Sequence, residues 1–179
     1  MPDLAAAVSA LLGPPRRAGP VTPTLPSSPG LYAWWGAPGA LPGITGPAHP
    51  TEPRWELLYV GKASSLHKRV VQNHLLGPSG SSTLRRALAG LLIPTEHWLT
   101  RWTSTRVVLV ASDEVRLTAW MRTHLAVTVV VHDAPGTVED AVIEELAPPL
   151  NVAGNTAHPA YPVVRAARAA WHCSAGPRP

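Results

Sequence analysis

The sequence predicts a small α/β (α+β) domain with a central, mainly antiparallel sheet of three or four strands flanked by helices. Short apolar runs, several of them next to glycine, alternate with longer segments in which apolar residues repeat at helical spacing. The chain has 179 residues, enough for one domain with a sizeable core. Its 21 prolines and 14 glycines separate the elements clearly.

The ends of the chain are expected to differ from its middle. Residues 3–12 suggest a short helix, and residues 13–29 hold enough prolines for an extended arm. We therefore divide the chain into an N-terminal helix and arm (1–29), a central domain (30–152) and a helical tail (153–179).

Four runs are typical of strands. The first is aromatic and buried, the second ends at Gly61, where the backbone is expected to turn sharply, and the last two are rich in valine. The first two should pair antiparallel across a long loop over residues 36–54. The runs are Leu31–Trp35, Leu57–Val60, Arg106–Ala111 and Ala126–Val131.

The helices between them are predicted from apolar periodicity, from residues that can cap an N-terminus and from prolines that end a helix. They run from Ser64 or Ser65 to about Leu76, from Ser81 or Ser82 to Pro94, from Asp113 through about Leu125, from Thr137 to Pro148, and over residues 163–171.

Composition limits the compartment and the partners. The net charge is +4 and the isoelectric point is near 9.8, which suits a polyanionic partner. A single cysteine, Cys173, excludes an intrachain disulfide and fits a reducing cytoplasm. No apolar run of membrane-spanning length occurs, so we expect a cytoplasmic protein without a signal peptide or membrane span.

Charge is unevenly distributed along the chain. No acidic residue occurs between Glu56 and Glu96, an interval that holds both lysines, whereas acidic residues dominate from Asp113 to Glu145. One interpretation is a solvated basic face beside a solvated acidic helix. The other is a phosphate-facing surface beside a metal-binding carboxylate.

Two tripeptides stand out. Gly30-Leu31-Tyr32 lies in the first strand, and Tyr59-Val60-Gly61, followed by Lys62, lies at the end of the second. Arg69 follows Tyr59 by ten residues, and Glu139 begins a helix twelve residues before Asn151. The chain thus carries two tyrosines, two cations, a carboxylate and an amide, the groups needed to cut a phosphodiester with one metal ion.

In these features the chain resembles the GIY-YIG nuclease superfamily, which is named for such tripeptides. The similarity runs from Gly30 to Asn151 and includes Arg69, the lysine after the second tripeptide and a helix that ends before a Pro-x-x-Asn signature. The resemblance implies the superfamily's fold, an endonuclease activity, and a product with a 5′-phosphate. DNA is the expected substrate, with RNA as the alternative.

The resemblance also implies roles. Tyr59 would be the general base and Tyr32 would orient the water or the phosphate, while Arg69 and Lys62 would hold phosphate oxygens. Glu139 would hold one Mg²⁺ or Mn²⁺. Taken alone, each has an ordinary explanation: a half-buried strand tyrosine, a surface cation, or a first-turn glutamate.

Three residues have supporting roles in this interpretation. Gly30 and Gly61 would shape the strands, and Asn151 would bond backbone near the site. Glu144 is a second candidate carboxylate, although its spacing to Asn151 is wrong.

Further residues are candidates for nucleic-acid contacts. Superfamily members often place a histidine or tyrosine about one turn after the arginine, where this chain has Asn73 and then His74. On an ideal α-helix a five-residue step rotates by about 140°, so His74 should point partly away from Arg69. Lys68, Arg85 and Arg86 complete this set; for the last two, a plain capped basic helix is equally compatible.

The chain also departs from the superfamily pattern. Tyr32 and Tyr59 are 27 residues apart rather than joined by a short turn, and the segment from Pro94 to Thr137 exceeds a minimal three-stranded core. Two other functions therefore stay open: a non-catalytic nucleic-acid-binding module, or a protein-interaction domain with an idle site. Specificity would come from loops, dimerisation or a partner.

Overall fold

The computed structural model describes residues 2–19, 25–153 and 155–178, and the side chains of residues 2 and 3 are not part of that description. Its helices are α1 (Pro2–Leu11), a π-helix (His67–Leu75), α2 (Thr83–Glu96), α3 (Ala111–His124), α4 (Glu139–Leu146) and α5 (Tyr161–Cys173). Its strands are β1 (Arg16–Arg17), β2 (Gly30–Gly36), β3 (Glu56–Ala63), β4 (Thr100–Trp102), β5 (Val107–Leu109) and β6 (Leu125–Val131). Short 3₁₀ turns lie at Ser79–Ser81 and Pro135–Thr137.

A four-stranded antiparallel sheet in the order β1-β6-β2-β3 forms the centre, which confirms the predicted fold class. Side chains of a strand alternate between its faces, so the sheet has two apolar sides. Tyr32 and Trp34 pack on one side with residues of the π-helix, α2 and α5. Leu31 and Trp35 pack on the other with residues of α1 and α4.

Both terminal segments contribute to these cores. Leu11 of α1 is fully buried, and Trp171 of α5 is 2% exposed. The predicted division at residues 30 and 152 stays a prediction. No helix in the described ranges has the length and apolarity needed to cross a bilayer.

The long loop between β2 and β3 packs against the rest of the molecule. Leu41 and Ile44 are buried in the core, and His49 is 2% exposed. His49 bonds the Gly13 carbonyl through Nε2 at 3.0 Å and packs edge-on against the Trp35 ring. These contacts fasten the loop to the segment that follows α1.

The predicted sharp turn at Gly61 is wrong, because β3 continues to Ala63. Gly61 is required for another reason: a Cβ atom there would lie 2.7 Å from Cζ of Tyr32, inside the phenol ring's contact distance. Gly30 is similarly restricted, since a Cβ would collide with the backbone carbonyl oxygen of Val130 in β6. Both glycines therefore permit close packing within the sheet.

Helix ends differ from prediction in three places. Pro94 does not end α2, which continues to Glu96, because the buried leucines of α2 outweigh one lost backbone hydrogen bond. Asp113 does not cap α3, which begins at Ala111; its carboxylate instead accepts from the Leu99 amide at 2.8 Å. Thr137 does not cap α4, since its hydroxyl donates to the Ala134 carbonyl.

The predicted helix after Ser64 or Ser65 is present, but it is a π-helix over His67–Leu75. Its hydrogen bonds join residues five apart, as in the bond of 2.9 Å from the Leu76 amide to the Val71 carbonyl. Residues five apart therefore lie on nearly the same face. This geometry matters for Arg69 and His74.

Candidate active site

The two motif tyrosines lie on one face of the sheet. The β2–β3 register pairs Tyr32 with Gly61 and Trp34 with Tyr59, so Tyr32 and Tyr59 are diagonal neighbours. Their ring centroids are 6.3 Å apart. Tyr32 is fully buried and Tyr59 is half-buried, so water reaches Tyr59 more easily.

The Tyr32 hydroxyl joins Arg69 to His74. Arg69 donates from Nε to the Tyr32 oxygen at 3.3 Å, and Nε2 of His74 lies 2.8 Å from the same oxygen. The expectation that His74 points partly away from Arg69 is wrong here, because it assumed α-helical rotation. His74 is also fully buried, so it is not placed to touch a surface phosphate.

Behind His74 a chain of hydrogen bonds continues into the protein. Nδ1 of His74 lies 2.7 Å from the Ser82 hydroxyl, which accepts from the Arg85 amide as the N-cap of α2. The Arg85 guanidinium donates to the His74 carbonyl and to the Glu114 carboxylate, at 3.1 and 2.8 Å. At 1% exposure, Arg85 supports the site from inside and is not placed for the predicted surface contact.

The protein environment shifts the proton affinities of these groups. Burial raises the pKa of Tyr32 far above its ordinary 10.0, and the neighbouring Tyr59 raises it further. Burial also raises the pKa of Tyr59, although the charges of Arg69 and Arg168 oppose that rise. Burial lowers the pKa of His74 to about 3, assisted by the charges of Arg69 and Arg85, so His74 is neutral near pH 7.

Lys62 and Glu139 form an ion pair at the mouth of the site. Nζ of Lys62 lies 2.8 Å from Oε2 of Glu139, and the Lys62 amide donates to Oε1 at 3.0 Å. Both bonds come from a residue whose side chain is half-exposed. The hydrogen bond and charge of Glu139 raise the pKa of Lys62.

Glu139 has the chemistry of a ligand for a hard divalent ion. Each carboxylate oxygen carries two lone pairs and accepts one bond from Lys62, so lone pairs remain for an ion. The described residues contain no cluster of three His, Cys, Asp or Glu side chains. The donor set therefore fits an ion that keeps most of its waters and shares substrate oxygens.

Asn151 supports the edge strand that carries the second motif. β3 lies at one edge of the sheet, so its outward amides and carbonyls lack a strand partner. The Asn151 side chain accepts from the Val60 amide at 2.9 Å and donates to the Val60 carbonyl at 2.8 Å. It thereby takes the place of a neighbouring strand beside Tyr59.

A shallow cavity of about 270 Å³ opens beside these groups. We call it the site groove. Among the predicted site residues, it brings together two lysines, an arginine and an amide. Its lining consists of Lys62, Ala63, Ser64, Ser65, Lys68, Arg69 and Asn73.

Three residues of the site escaped sequence analysis. Ser82 was recognised only as a candidate cap, Glu114 lies 35 residues beyond the Ser79 that it binds, and Arg168 belongs to the tail. No local pattern connects Glu114 or Arg168 to the motifs. Asp140, Glu144 and Glu145 are exposed on α4, away from the groove lining.

Comparison with known proteins gives one match. The family model described as GIY-YIG catalytic domain matches residues 30–169. No curated protein and no solved structure matches this chain.

Proposed function

Because the chain belongs to the GIY-YIG catalytic domain family, we propose that it is a metal-dependent endonuclease acting on nucleic acid, DNA in the first place. The observation that carries the proposal is the convergence of Tyr59, Arg69 and the Lys62–Glu139 pair beside one open groove. These groups come from β3, the π-helix and α4, so no single structural element requires them to meet.

Tyr59 is the proposed general base. It is half-buried; burial and the charge of Glu139 raise its pKa, and the cations Arg69 and Arg168 limit that rise by favouring the phenolate. Tyr59 takes a proton from the attacking water, whose oxygen bonds to phosphorus. The bond from phosphorus to the departing 3′ oxygen breaks, that oxygen takes a proton from solvent water, and the other product keeps a 5′-phosphate.

Arg69 and Lys62 are proposed to hold the scissile phosphate. Arg69 uses only Nε for its bond to Tyr32, so both Nη groups remain to grip non-bridging oxygens as a fork. Glu139 would hold one Mg²⁺ or Mn²⁺, which when bound would stabilise charge on the departing oxygen. Tyr32 and His74 fix the Arg69 guanidinium from behind.

Supercoiled plasmid tests the proposal directly. Wild-type protein with Mg²⁺ or Mn²⁺ should nick or linearise it, and Glu139→Ala should not. Glu144→Ala is a matched control, because it removes the same charge from an exposed position of α4 and should cut like wild type. A structured RNA in a parallel reaction distinguishes the two substrates.

The same experiment separates the alternatives. Binding of plasmid without cutting would indicate a nucleic-acid-binding module. Neither binding nor cutting would indicate an interaction domain with an idle site. The cytoplasmic location and the role of a dimer remain predictions.

A further inference from the structure

Within the ranges that the structure describes, several arginines near the site form no ion pair with an acidic group. The ion pairs of the described residues engage Arg54, Lys62, Arg85 and Arg116. Three other arginines lie outside these pairs although they are close to one another: Arg86 on α2, Arg106 before β5, and Arg168 on α5. We call them the arginine row.

Two members of the row converge on a single acceptor. Nη1 of Arg86 donates to the Gly80 carbonyl at 2.6 Å, and Nη1 of Arg106 donates to the same oxygen at 3.1 Å. Their like charges repel, and the pKa of Arg86 is lowered by burial and then by the charge of Arg106. The fold therefore holds two guanidinium groups together without a carboxylate between them.

The third member connects this pair to the site. Arg168 donates to the Leu150 carbonyl at 3.2 Å, one residue before Asn151. Burial lowers the pKa of Arg168, while the charge of Tyr59 raises it and that of Arg86 lowers it further. Arg168 is therefore an electrostatic neighbour of both Tyr59 and Arg86, and Arg86 shares its acceptor with Arg106.

The far end of the row opens into a cavity of about 440 Å³. Trp102 lines it with its indole Nε1 bonded to the Gly176 carbonyl, and the Arg178 guanidinium lies 6.0 Å from its ring centroid. Aromatic rings interleaved with cations are the usual surface for a nucleic-acid strand. The cavity lining includes Ser81, Arg86, Trp102, Thr105, Arg106 and His172.

Three neighbouring cations without an acidic partner, two of which are half-buried, are costly unless a partner supplies several negative charges. A single anion could neutralise the Arg86–Arg106 pair alone. The row, however, continues from the site to the β4–β5 hairpin, so a partner with several charges along its length fits it better. We propose that the arginine row binds the sugar–phosphate backbone flanking the scissile phosphate and so sets the direction in which the strand leaves the site. The assignment rests on the proposed nuclease function and adds residues of the hairpin and α5 to it.

The β4–β5 hairpin supplies a matched control. Its register pairs Trp102 with Val107 and Arg101 with Val108, so Arg101 faces away from Trp102. Arg101 lines a different cavity, against α3. Arg101→Ala and Arg106→Ala therefore remove the same charge from exposed positions of one hairpin, on and off the row.

Binding is best measured without cutting. Labelled duplex DNA, single-stranded DNA and RNA are titrated in EDTA, with salt varied from about 50 to about 200 mM. Arg106→Ala should weaken binding and reduce the slope of log affinity against log salt by about 1, because one phosphate contact is lost. Arg168→Met should do the same, and Arg101→Ala should match wild type.

The outcomes separate this proposal from the nuclease function. If Arg106→Ala and Arg101→Ala gave equal slopes of log affinity against log salt, or if wild type did not bind, the proposed role of the arginine row would be wrong. If Arg106→Ala reduced the slope but the protein never cut with Mg²⁺ or Mn²⁺, binding by the arginine row would be supported and the proposed nuclease activity would be rejected. In a cutting protein, Arg106→Ala should raise KM with kcat unchanged.

Discussion

Arg69 and Arg85 lie on opposite sides of the same hydrogen-bond chain, yet their surroundings differ completely. Arg85 is 1% exposed, and its Nη atoms bond three backbone carbonyls, a threonine and a carboxylate. Arg69 is half-buried, and of its guanidinium nitrogens only Nε donates a hydrogen bond, to the Tyr32 hydroxyl. The two arginines thus differ in their Nη donors, which are occupied inside the protein at Arg85 and spare at Arg69, the proposed phosphate ligand.

The two glutamates that face these cations show the same contrast. Glu114 accepts from the amide and hydroxyl of Ser79 through Oε1 and from Arg85 through Oε2. Glu139 accepts from the Lys62 backbone amide, which is fixed in β3, and from the half-exposed Lys62 Nζ, which can move into solvent. A substrate phosphate or a metal ion can therefore displace Nζ at Glu139, whereas the bonds to Glu114 come from buried groups.

We call Arg69 and Lys62, which line the site groove, together with Glu139, which pairs with Lys62, the open side of the site. The largest expected effect tests this side. Arg69→Ala should reduce cleavage by about 10²–10³-fold, because it removes a positioned donor for the phosphate. The free energy of unfolding should change by less than about 1 kcal/mol, since Arg69 contributes one long hydrogen bond. Single-turnover rates and urea melts measure the two effects.

Arg69→Lys sharpens this test, because lysine keeps the charge but loses the fork and should recover only part of the rate. Arg122→Ala, on the outer face of α3, controls for charge alone. A variant that unfolds readily yet cuts normally when folded would reverse the assignment of Arg69.

We call His74, Ser82, Arg85 and Glu114, which continue the hydrogen-bond chain into the protein, the buried side of the site. The second prediction tests this side. Arg85→Met should lower the free energy of unfolding by about 3 kcal/mol, because it leaves the mostly buried Glu114 carboxylate without its cation. Arg85→Met with Glu114→Leu should recover part of that loss, since no charge then stays unpaired. Urea melts of the single and double variants measure both.

If Arg85→Met kept full stability and lost cleavage, Arg85 would belong to the reactive group and the comparison would fail. The folded fraction of the variant should otherwise still cut, because Arg85 touches neither the site groove nor Tyr59.

The strands that carry the open side can be predicted from the sequence. Apolar runs locate β2, β3 and β6, and they do so because strand periodicity is a local property. Motif spacing selects Tyr59, Arg69 and Glu139 as candidates, and their catalytic roles stay predictions. The β4 strand was missed because its three residues, Thr100–Trp102, are too few for a periodic signal.

The buried side was not predictable. The π-helical hydrogen bonds at His67–Leu75 depend on the fit of that helix against the sheet, and the same residues are compatible with an α-helix. Glu114 and Arg168 reach the site through tertiary packing alone. A single sequence gives no sign of contacts between segments so far apart.

The smallest expected effect concerns His74 and the pH dependence of stability. Burial lowers the pKa of His74 to about 3 from an ordinary 6.5, so between these values the unfolded chain binds a proton that the folded chain does not. Stability contributed by neutral His74 is therefore present above pH 6.5 and is lost as the pH falls towards 3.

His74→Asn should be less stable than wild type near neutral pH, because it loses the bonds to Tyr32 and Ser82. At pH 5 the wild-type advantage should shrink by about 2 kcal/mol, since asparagine does not titrate and the protonation penalty then falls on wild type alone. Urea melts at the two pH values measure the change, with His67→Asn on the same helix as the control for the substitution itself. A wild-type advantage that stays constant or grows on acidification would mean that His74 is protonated in the folded protein. His74 would then add an uncompensated positive charge beside the buried Arg85–Glu114 pair, and its assignment as a neutral link of the hydrogen-bond chain would be wrong.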